Sequence, residues 1–399
     1  MGLNQCRYGR FMKRAFKYRL YPNKEQIAQL EFVLNCCRKL YNCALEHRKI
    51  AWRSYNIRIG CYDQIKELPE IKEAFSGYNQ VHSQVLQDVL RRLDKTFQKF
   101  FKEKTGYPRF KSRDRYRSII YPQSGFQVLE TGHLKLSKIG ILRMFYHRPI
   151  QGEIKTLAVK KDLVGDWFAT FVTELPDVPK KEPKTAIGID VGIEKLATVS
   201  TGEIIEHPHL LKKSKENLKK LQRRLSKKKK GSKHHKNARI KVAKAHRKIE
   251  RQRDDFLHKV SNELVKKADL IAFEDLRINN MVRNHHLANS IVDSSWGKLV
   301  QYTTFKAENA GKFVELVDPK GTTQSCSGCG VSVKKSLSVR IHRCPNCGLT
   351  IDRDVNAALN ILKKVRRGTP KPIQTPGEIE PLQKLEIVSA SLVKEPGSP

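Results

Sequence analysis

The stretch "CPNCGLTIDRDVNAALNIL", residues 344–362, joins two kinds of chemistry within one short segment. A Cys-x-x-Cys pair opens it. Four residues later come two aspartates and the start, at about Asp352, of an amphipathic helix. The cysteines have partners upstream, because Cys326 and Cys329 form a second Cys-x-x-Cys with fourteen residues between the pairs. Two such knuckles offer four thiolates, the donor set of one closed tetrahedral Zn²⁺ site with no position left for catalysis. Gly328, Gly330 and Gly348 stand where such knuckles need tight turns. An iron–sulfur centre is the competing metal group. A redox role for either pair would need a thioredoxin-like strand and helix, which the flanking sequence lacks.

Of the two aspartates, Asp352 suits the helix cap. Asp354 shares a helix face with Ala358 and Ile361, so it points the way the core face points. An acid in a first turn also suits the helix dipole, and spacing alone leaves Asp354 open between the two roles. The small Ala358 would let the helix pack close to a sheet.

Two further acids stand in apolar strands: Asp190 in "AIGIDVG" and Glu274 in "LIAFEDL". Aspartate is a poor strand former, and burying a carboxylate costs several kcal/mol unless it is paired or holds a metal. Asp275, beside Glu274, is expected to face solvent or to cap the next segment. Around these acids the chain reads as three consecutive strands, "TAIGIDVGIEKLATVSTGEIIEHP", with a Thr-Gly turn between the last two. A basic helical hairpin (210–265) follows, divided by the loop "KKKKGSKHHK" at 227–236. Next come a strand at 269–276, a helix in "SWGKLVQYTTFKAENAG" and a strand in "KFVELVDP". Strand–strand–strand, helix, strand, helix is the RNase H-like layout, in which carboxylates from the first strand, a central strand and a late helix meet at one edge. Three acids suit two Mg²⁺ ions, which prefer hard oxygen ligands. Two such ions about 4 Å apart activate a water and stabilise the leaving oxygen of a phosphodiester.

Upstream, residues 12–21 read as one strand ending at Pro22. Ile27, Leu30 and Leu34, and later Val85, Val89, Leu93 and Phe97, carry a helical period through 23–104. "KTGYPRFKSR" breaks it with turn residues and basic charge. Short alternating strands over 117–178 make an all-β module of barrel size. "PDVPKKEPK" (176–184) is a linker, the Pro-rich tail from 368 is expected to be disordered, and residues 1–11 read as a leader before Met12.

The 78 Lys and Arg against 40 Asp and Glu leave a net charge of +38 over 399 residues, far more than solubility requires, and call for a polyanionic partner. Residues 210–253 alone hold 20 Lys and Arg against two Glu. No apolar run is long enough to span a membrane, and the basic N-terminus lacks the apolar core of a secretory signal. Cys6, Cys36, Cys37, Cys43 and Cys61 have no ligand spacing, and the helical context of 36–43 suggests buried thiols. The cysteine usage suits a reducing compartment.

"GIDVGIEKLATVSTG", "IAFEDL", "SSWGKLVQYTTFKAENAG", "VDPKGTTQSCSGCG" and "HRCPNCGLTIDRDVNAALNIL" resemble the TnpB (OrfB) proteins of insertion sequences, relatives of the miniature type V CRISPR effectors. "YRLYPNKEQIAQLEFVLNCCRKLYNCAL" and "GYPRFKSR" look like their N-terminal half, so the resemblance spans about 12–367. It implies an α+β multidomain chain: a wedge β-barrel whose first strand lies with the leader in 1–22 and whose remainder is 105–180, with an inserted helical recognition domain (23–104), then an RNase H-like (RuvC) α/β nuclease domain (184–320 and 349–367) interrupted by a zinc ribbon (321–348), ahead of the tail 368–399. It implies an RNA-guided DNA endonuclease with Asp190, Glu274 and Asp354 as its metal-holding catalytic acids, two catalytic Mg²⁺ and one structural Zn²⁺. In the family the second aspartate of Asp-x-Asp-x-Asn is the catalytic one, which assigns Asp354 over Asp352. The implied partners are a guide RNA from the element's end, one chain per guide, and a double-stranded target DNA read beside a short motif, in a prokaryotic cytoplasm. Arg109, Lys111, Arg113 and Lys227, Lys228, Lys229 and Lys230 are the expected phosphate contacts, with base pairing left to carry sequence. A cleavage-independent RNA-guided DNA-binding regulator and a transposase proper are the competing readings.

Overall fold

The computed structural model describes residues 11–103, 105–284, 287–336 and 339–368; the expected leader, apart from Phe11, and most of the Pro-rich tail lie outside the described residues. The chain divides into two compact units at Asp177/Val178, inside the segment expected to be a linker.

The first unit begins with strand β1 (Phe11–Tyr21). Four helices follow: α1 (Lys24–Tyr55), α2 (Cys61–Lys66), α3 (Leu68–Ala74) and α4 (Ser83–Glu103). Asn23 starts α1 as a capping box: its side chain accepts from Gln26 N–H at 2.8 Å, and the Gln26 side chain accepts from Asn23 N–H. Six strands complete the unit: β2 (Ser118–Tyr121), β3 (Phe126–Val128), β4 (Leu134–Leu136), β5 (Gly140–Met144), β6 (Glu153–Lys161) and β7 (Trp167–Pro176). With β1 they make an antiparallel seven-stranded sheet in the order β2-β6-β7-β1-β5-β4-β3. The sheet curls almost to closure, so that Tyr121 of one edge strand meets Phe126 of the other, ring to ring at 6.3 Å. The inward residues of β7 (Trp167, Ala169, Phe171) alternate with partly exposed ones, as a sheet with one buried face requires. Cys36 and Cys37 are buried on α1, but Cys43 is exposed, which corrects the expectation of buried thiols over 36–43; Cys61 is half-buried. The buried stripe of α1 runs through Leu40, Tyr41, Ala44 and Leu45, and Cys43 falls outside it.

The second unit holds β8 (Ala186–Val191), β9 (Lys195–Val199) and β10 (Ile204–Glu206), then α5 (Leu210–Ser226) and α6 (Lys233–Lys267). Strand β11 (Leu270–Glu274) and helices α7 (Ile278–Met281), α8 (Ala288–Ser294) and α9 (Trp296–Asn309) come next. Strand β12 (Phe313–Val317), the hairpin β13 (Ile341–Arg343) and β14 (Thr350–Asp352), and α10 (Arg353–Gly368) end the described chain. The loop between α5 and α6 is shorter than expected, because Ser232 caps α6 and the helix already begins at Lys233.

The main sheet runs β10-β9-β8-β11-β12: antiparallel through β8, then parallel from β8 to β11 and β12. Its faces differ by strand parity. Ile187, Ile189, Ile271 and Phe273 face the cluster that includes Leu257 and Leu264 of α6 and Trp296 and Leu299 of α9. Ala186, Leu270 and Ala272 face Ile361, Leu362 and Val365 of α10. Small residues on this second face let α10 come close. A Cβ on Gly188 would stand 2.2 Å from the Ala358 carbonyl oxygen and 2.8 Å from the Leu362 nitrogen.

Candidate active site

The parallel pairing of β8 with β11 matches Ile189 to Phe273. The next residues along, Asp190 and Glu274, therefore leave the sheet side by side at the C-terminal strand ends. Asp190 also lies two residues beyond Gly188 and shares its face, the face covered by α10. Two strand residues advance about 6.6 Å, and four helical residues about 6 Å. Going from Ala358, which packs on Gly188, back one turn to Asp354 thus covers the same distance as going from Gly188 to Asp190. The three acids come from three elements, and the packing of α10 on β8 brings the third to the other two.

Their electrostatics register the crowding. Asp190 is held well above the usual carboxylate range, first by burial and then by the charges of Glu274 and Asp354, while the Arg353 guanidinium acts in the opposite sense. Glu274 is raised as well, chiefly by burial, against the lowering effect of its bond from the Thr322 hydroxyl (2.5 Å) and of the Lys364 charge. Asp354 is gripped by Arg353, whose Nε and a terminal nitrogen approach Oδ1 at 3.2 and 3.0 Å. Lys195 reaches Asp352 at 2.9 Å and Asp354 at 3.9 Å.

The two neighbouring aspartates divide their work. Asp352, the last residue of β14, accepts the N–H groups of Asp354 (2.8 Å) and Val355 (3.2 Å), and so caps α10. Asp354, in the first turn, points at the acid cluster. Asp275 is exposed. Trp296 donates its indole N–H to the Gly192 carbonyl at 3.1 Å, which ties the turn after β8 to the start of α9.

The four cysteines converge: the sulfurs of Cys326, Cys329, Cys344 and Cys347 all lie within 4.8 Å of one another. Cys326 N–H bonds to Val331 O and Gly330 N–H to Cys326 O, and the second knuckle repeats this with Cys344, Leu349 and Gly348. Gly330 (φ 82°) and Gly348 (φ 72°) have the left-handed backbone these turns need. Gly328 lies in the turn between Cys326 and Cys329 without that backbone conformation, and a Cβ there would meet the Cys347 sulfur at an ordinary contact distance of 3.4 Å.

The expected phosphate contacts fall in both units. Lys227, Lys228, Lys229 and Lys230 are all exposed in the α5–α6 turn. Lys228 also lines a cavity of about 440 Å³ with Arg224, His234, Lys241 and Lys244. In the first unit Arg109 is exposed, and the Arg113 side chain is 83% exposed with Glu31 3.8 Å away. Lys111 is half-buried, its backbone held at both N–H and C=O by the Asn42 side chain. Beside this segment sequence reasoning missed an aromatic cluster in which Phe97, Phe100 and Phe101 of α4 pack with Tyr107. The run "TFQKFF" was its visible signal. Thr322, Lys195 and Trp296 also escape a sequence reading because their partners lie 48, 157 and 104 residues away, and Arg353, beside Asp354, belongs to no motif of its own.

Three comparisons bear on this geometry. Residues 170–285 match the family OrfB_IS605, described as "Probable transposase"; 296–361 match "Cas12f1-like, TNB domain"; and 12–56 match a "Helix-turn-helix domain" of OrfB_IS605. In this structure that last range holds one strand, β1, and one helix, α1. A Streptomyces pristinaespiralis protein named "Putative RNA-guided DNA endonuclease" is 39% identical over 88% of this chain and 89% of its own length. The Escherichia coli K12 protein "Putative RNA-guided DNA endonuclease InsQ" is 31% identical over 88% and 92%. Among solved structures, a Cas12f1–sgRNA–target DNA complex aligns with a TM-score of 0.56 over 88% of this chain and 98% of that one, at 13% identity, a likeness of fold.

Proposed function

The chain belongs to the TnpB (OrfB) family of insertion-sequence proteins, and on that premise we propose that it is the RNA-guided DNA endonuclease of a transposable element, cutting DNA beside a short motif by metal-dependent phosphodiester hydrolysis. The observation that carries this reading is the convergence of Asp190, Glu274 and Asp354 from β8, β11 and α10. The five-stranded sheet with its strand order supports an RNase H-like, RuvC-type core. The curled seven-stranded sheet supports a wedge barrel, with α1–α4 inserted after its first strand as a recognition domain.

The acid set fits Mg²⁺. Three hard-oxygen groups are crowded until burial and mutual repulsion raise Asp190, and a divalent cation relieves that repulsion. Asp190, Glu274 and Asp354 would hold two such ions, which when bound activate the attacking water and stabilise the leaving oxygen. The chain's own residues prepare the place. Asp352 fixes the start of α10, and Arg353 and Lys195 orient the Asp354 carboxylate. The thiolates of Cys326, Cys329, Cys344 and Cys347 would hold one Zn²⁺ in a closed, structural site.

The excess of positive charge draws in the polyanions. Lys227–Lys230 and the 109–113 segment neutralise backbone phosphates of a guide RNA and its DNA target, with one chain per guide. Reconstitution with the RNA transcribed from the element's flank, Mg²⁺ and a matching DNA tests the proposal. Wild type cuts and Asp190→Ala does not. Equal cutting by both, or RNA-independent joining of a labelled element end, would overturn it.

A further inference from the structure

Between β12 and the first cysteine knuckle the chain crosses a tight loop, beginning at residue 318, that contacts Glu274 and α10. Thr322 in this loop is almost fully buried, and its hydroxyl lies 2.5 Å from Glu274 Oε1 and 2.9 Å from the Pro319 carbonyl oxygen. One hydroxyl has one proton to give, so it can donate to only one of these two oxygens, and Glu274 Oε1 is the nearer. The loop is fastened in turn to α10. The Asn360 side-chain amide donates to the carbonyls of Thr322 (2.8 Å) and Ser325 (2.7 Å). One turn earlier, Asn356 donates to Ser325 O at 2.8 Å and accepts from Ser327 N–H at 2.8 Å. Both asparagines are buried, and Ser325 and Ser327 flank Cys326. Cys326 is thereby clamped on both sides by the helix whose first turn carries Asp354.

On the reading of the acids given above, we infer that Thr322 is a positioning residue for Glu274, and that the Cys326 knuckle sets it through the Asn356–Asn360 clamp. A free glutamate in the last position of a strand has several rotamers, of which few meet Asp190 and Asp354. The hydroxyl selects one of them. The knuckle matters because it holds the loop that presents that hydroxyl, so the thiolate site and the carboxylate site form one mechanical unit with α10 as the common beam.

The test uses the full chain with Mn²⁺ as the probe, measuring binding directly by calorimetry and cleavage as a function of Mn²⁺. Thr322→Val keeps the shape and removes the donor. It should weaken Mn²⁺ binding about ten-fold or more, and raise the Mn²⁺ needed for half-maximal cleavage by the same factor, with zinc content and circular dichroism unchanged. Thr322→Ser, which keeps the hydroxyl, should stay within about two-fold of wild type, a rescue that a merely structural role would not produce. Wild-type affinity in Thr322→Val, with binding lost in Glu274→Gln, would overturn the role of Thr322 alone. A Thr322→Ser variant as weak as Thr322→Val would do the same. Mn²⁺ binding untouched by Glu274→Gln would overturn the acid-site reading and this inference with it.

Discussion

Gly188 of β8 lies against the backbone of Ala358 in α10 so closely that a Cβ would come 2.2 Å from the Ala358 carbonyl oxygen, inside any allowed contact. Neither the strand nor the helix main chain can swing aside as a side-chain tip would. Gly188→Ala should therefore push α10 off the sheet, costing about 1–3 kcal/mol, or roughly 2–4 °C in Tm for each kcal/mol. Because Asp354 rides on the same helix one turn away, cleavage should fall more than the Tm loss explains. Thermal denaturation and a cleavage assay well below Tm separate the two effects. Wild-type Tm in Gly188→Ala would show that the helix is not seated on this residue.

Asp352 and Asp354 should respond in opposite ways to the same change. Asp352→Ala removes the acceptor of two α10 N–H groups and should cost about 1 kcal/mol of stability, while leaving substantial cleavage. Asp354→Ala leaves the cap in place and should abolish cleavage with little change in Tm. Denaturation and cleavage measured on both variants decide the assignment, and a reversed pattern would exchange the two roles.

The crowding at Asp190 should appear as a pH dependence in Mg²⁺-free buffer. Folded Asp190 binds its proton more tightly than an ordinary carboxyl titrating near 3.8. The stability this provides is complete below that ordinary value and is lost as pH rises through the raised folded one. At neutral pH folding must therefore either bury the charge or take up a proton, a cost that Asp190→Asn removes. The variant should be the more stable of the two near pH 7, with an advantage that shrinks towards pH 4. Urea titrations across that range measure it, and a variant less stable than wild type at pH 7 would contradict the cause assigned here.

The exposed lysines of the α5–α6 turn should act through phosphate alone. Changing Lys227, Lys228, Lys229 and Lys230 together to Ala should weaken nucleic-acid binding at every sequence alike. The slope of log affinity against log salt should fall by up to about 3.6, at about 0.9 for each lost phosphate contact. Fold and Tm should not move, since all four side chains are exposed. An unchanged salt slope would remove these residues from the binding surface.

Much of this arrangement was legible in local pattern. Two Cys-x-x-Cys pairs announce a shared ion because few other needs bring four thiolates to that spacing, and the sulfurs do converge. An aspartate ending the buried run of β8 and a glutamate ending that of β11 drew attention because burial makes such residues expensive. The order of strands and helices followed from periods of two and 3.6. Cys43 was misjudged because a helix buries one stripe, and its edge is set by what packs there. The clamp of Asn356 and Asn360 on Ser325 gave no pattern at all, since its partners lie 31 and 35 residues away.

By itself, then, the amino-acid sequence determined which groups this protein has to work with: the acids, the thiolates, the positive charge and the elements that carry them, each written in residue type and period. Only the tertiary structure decided which of those groups meet. Asp190 and Glu274 become neighbours through the parallel register of β8 and β11. Asp354 joins them because Gly188 lets α10 seat one turn from the strand ends. Register and close approach are properties of two segments at once, and neither segment's own pattern contains them.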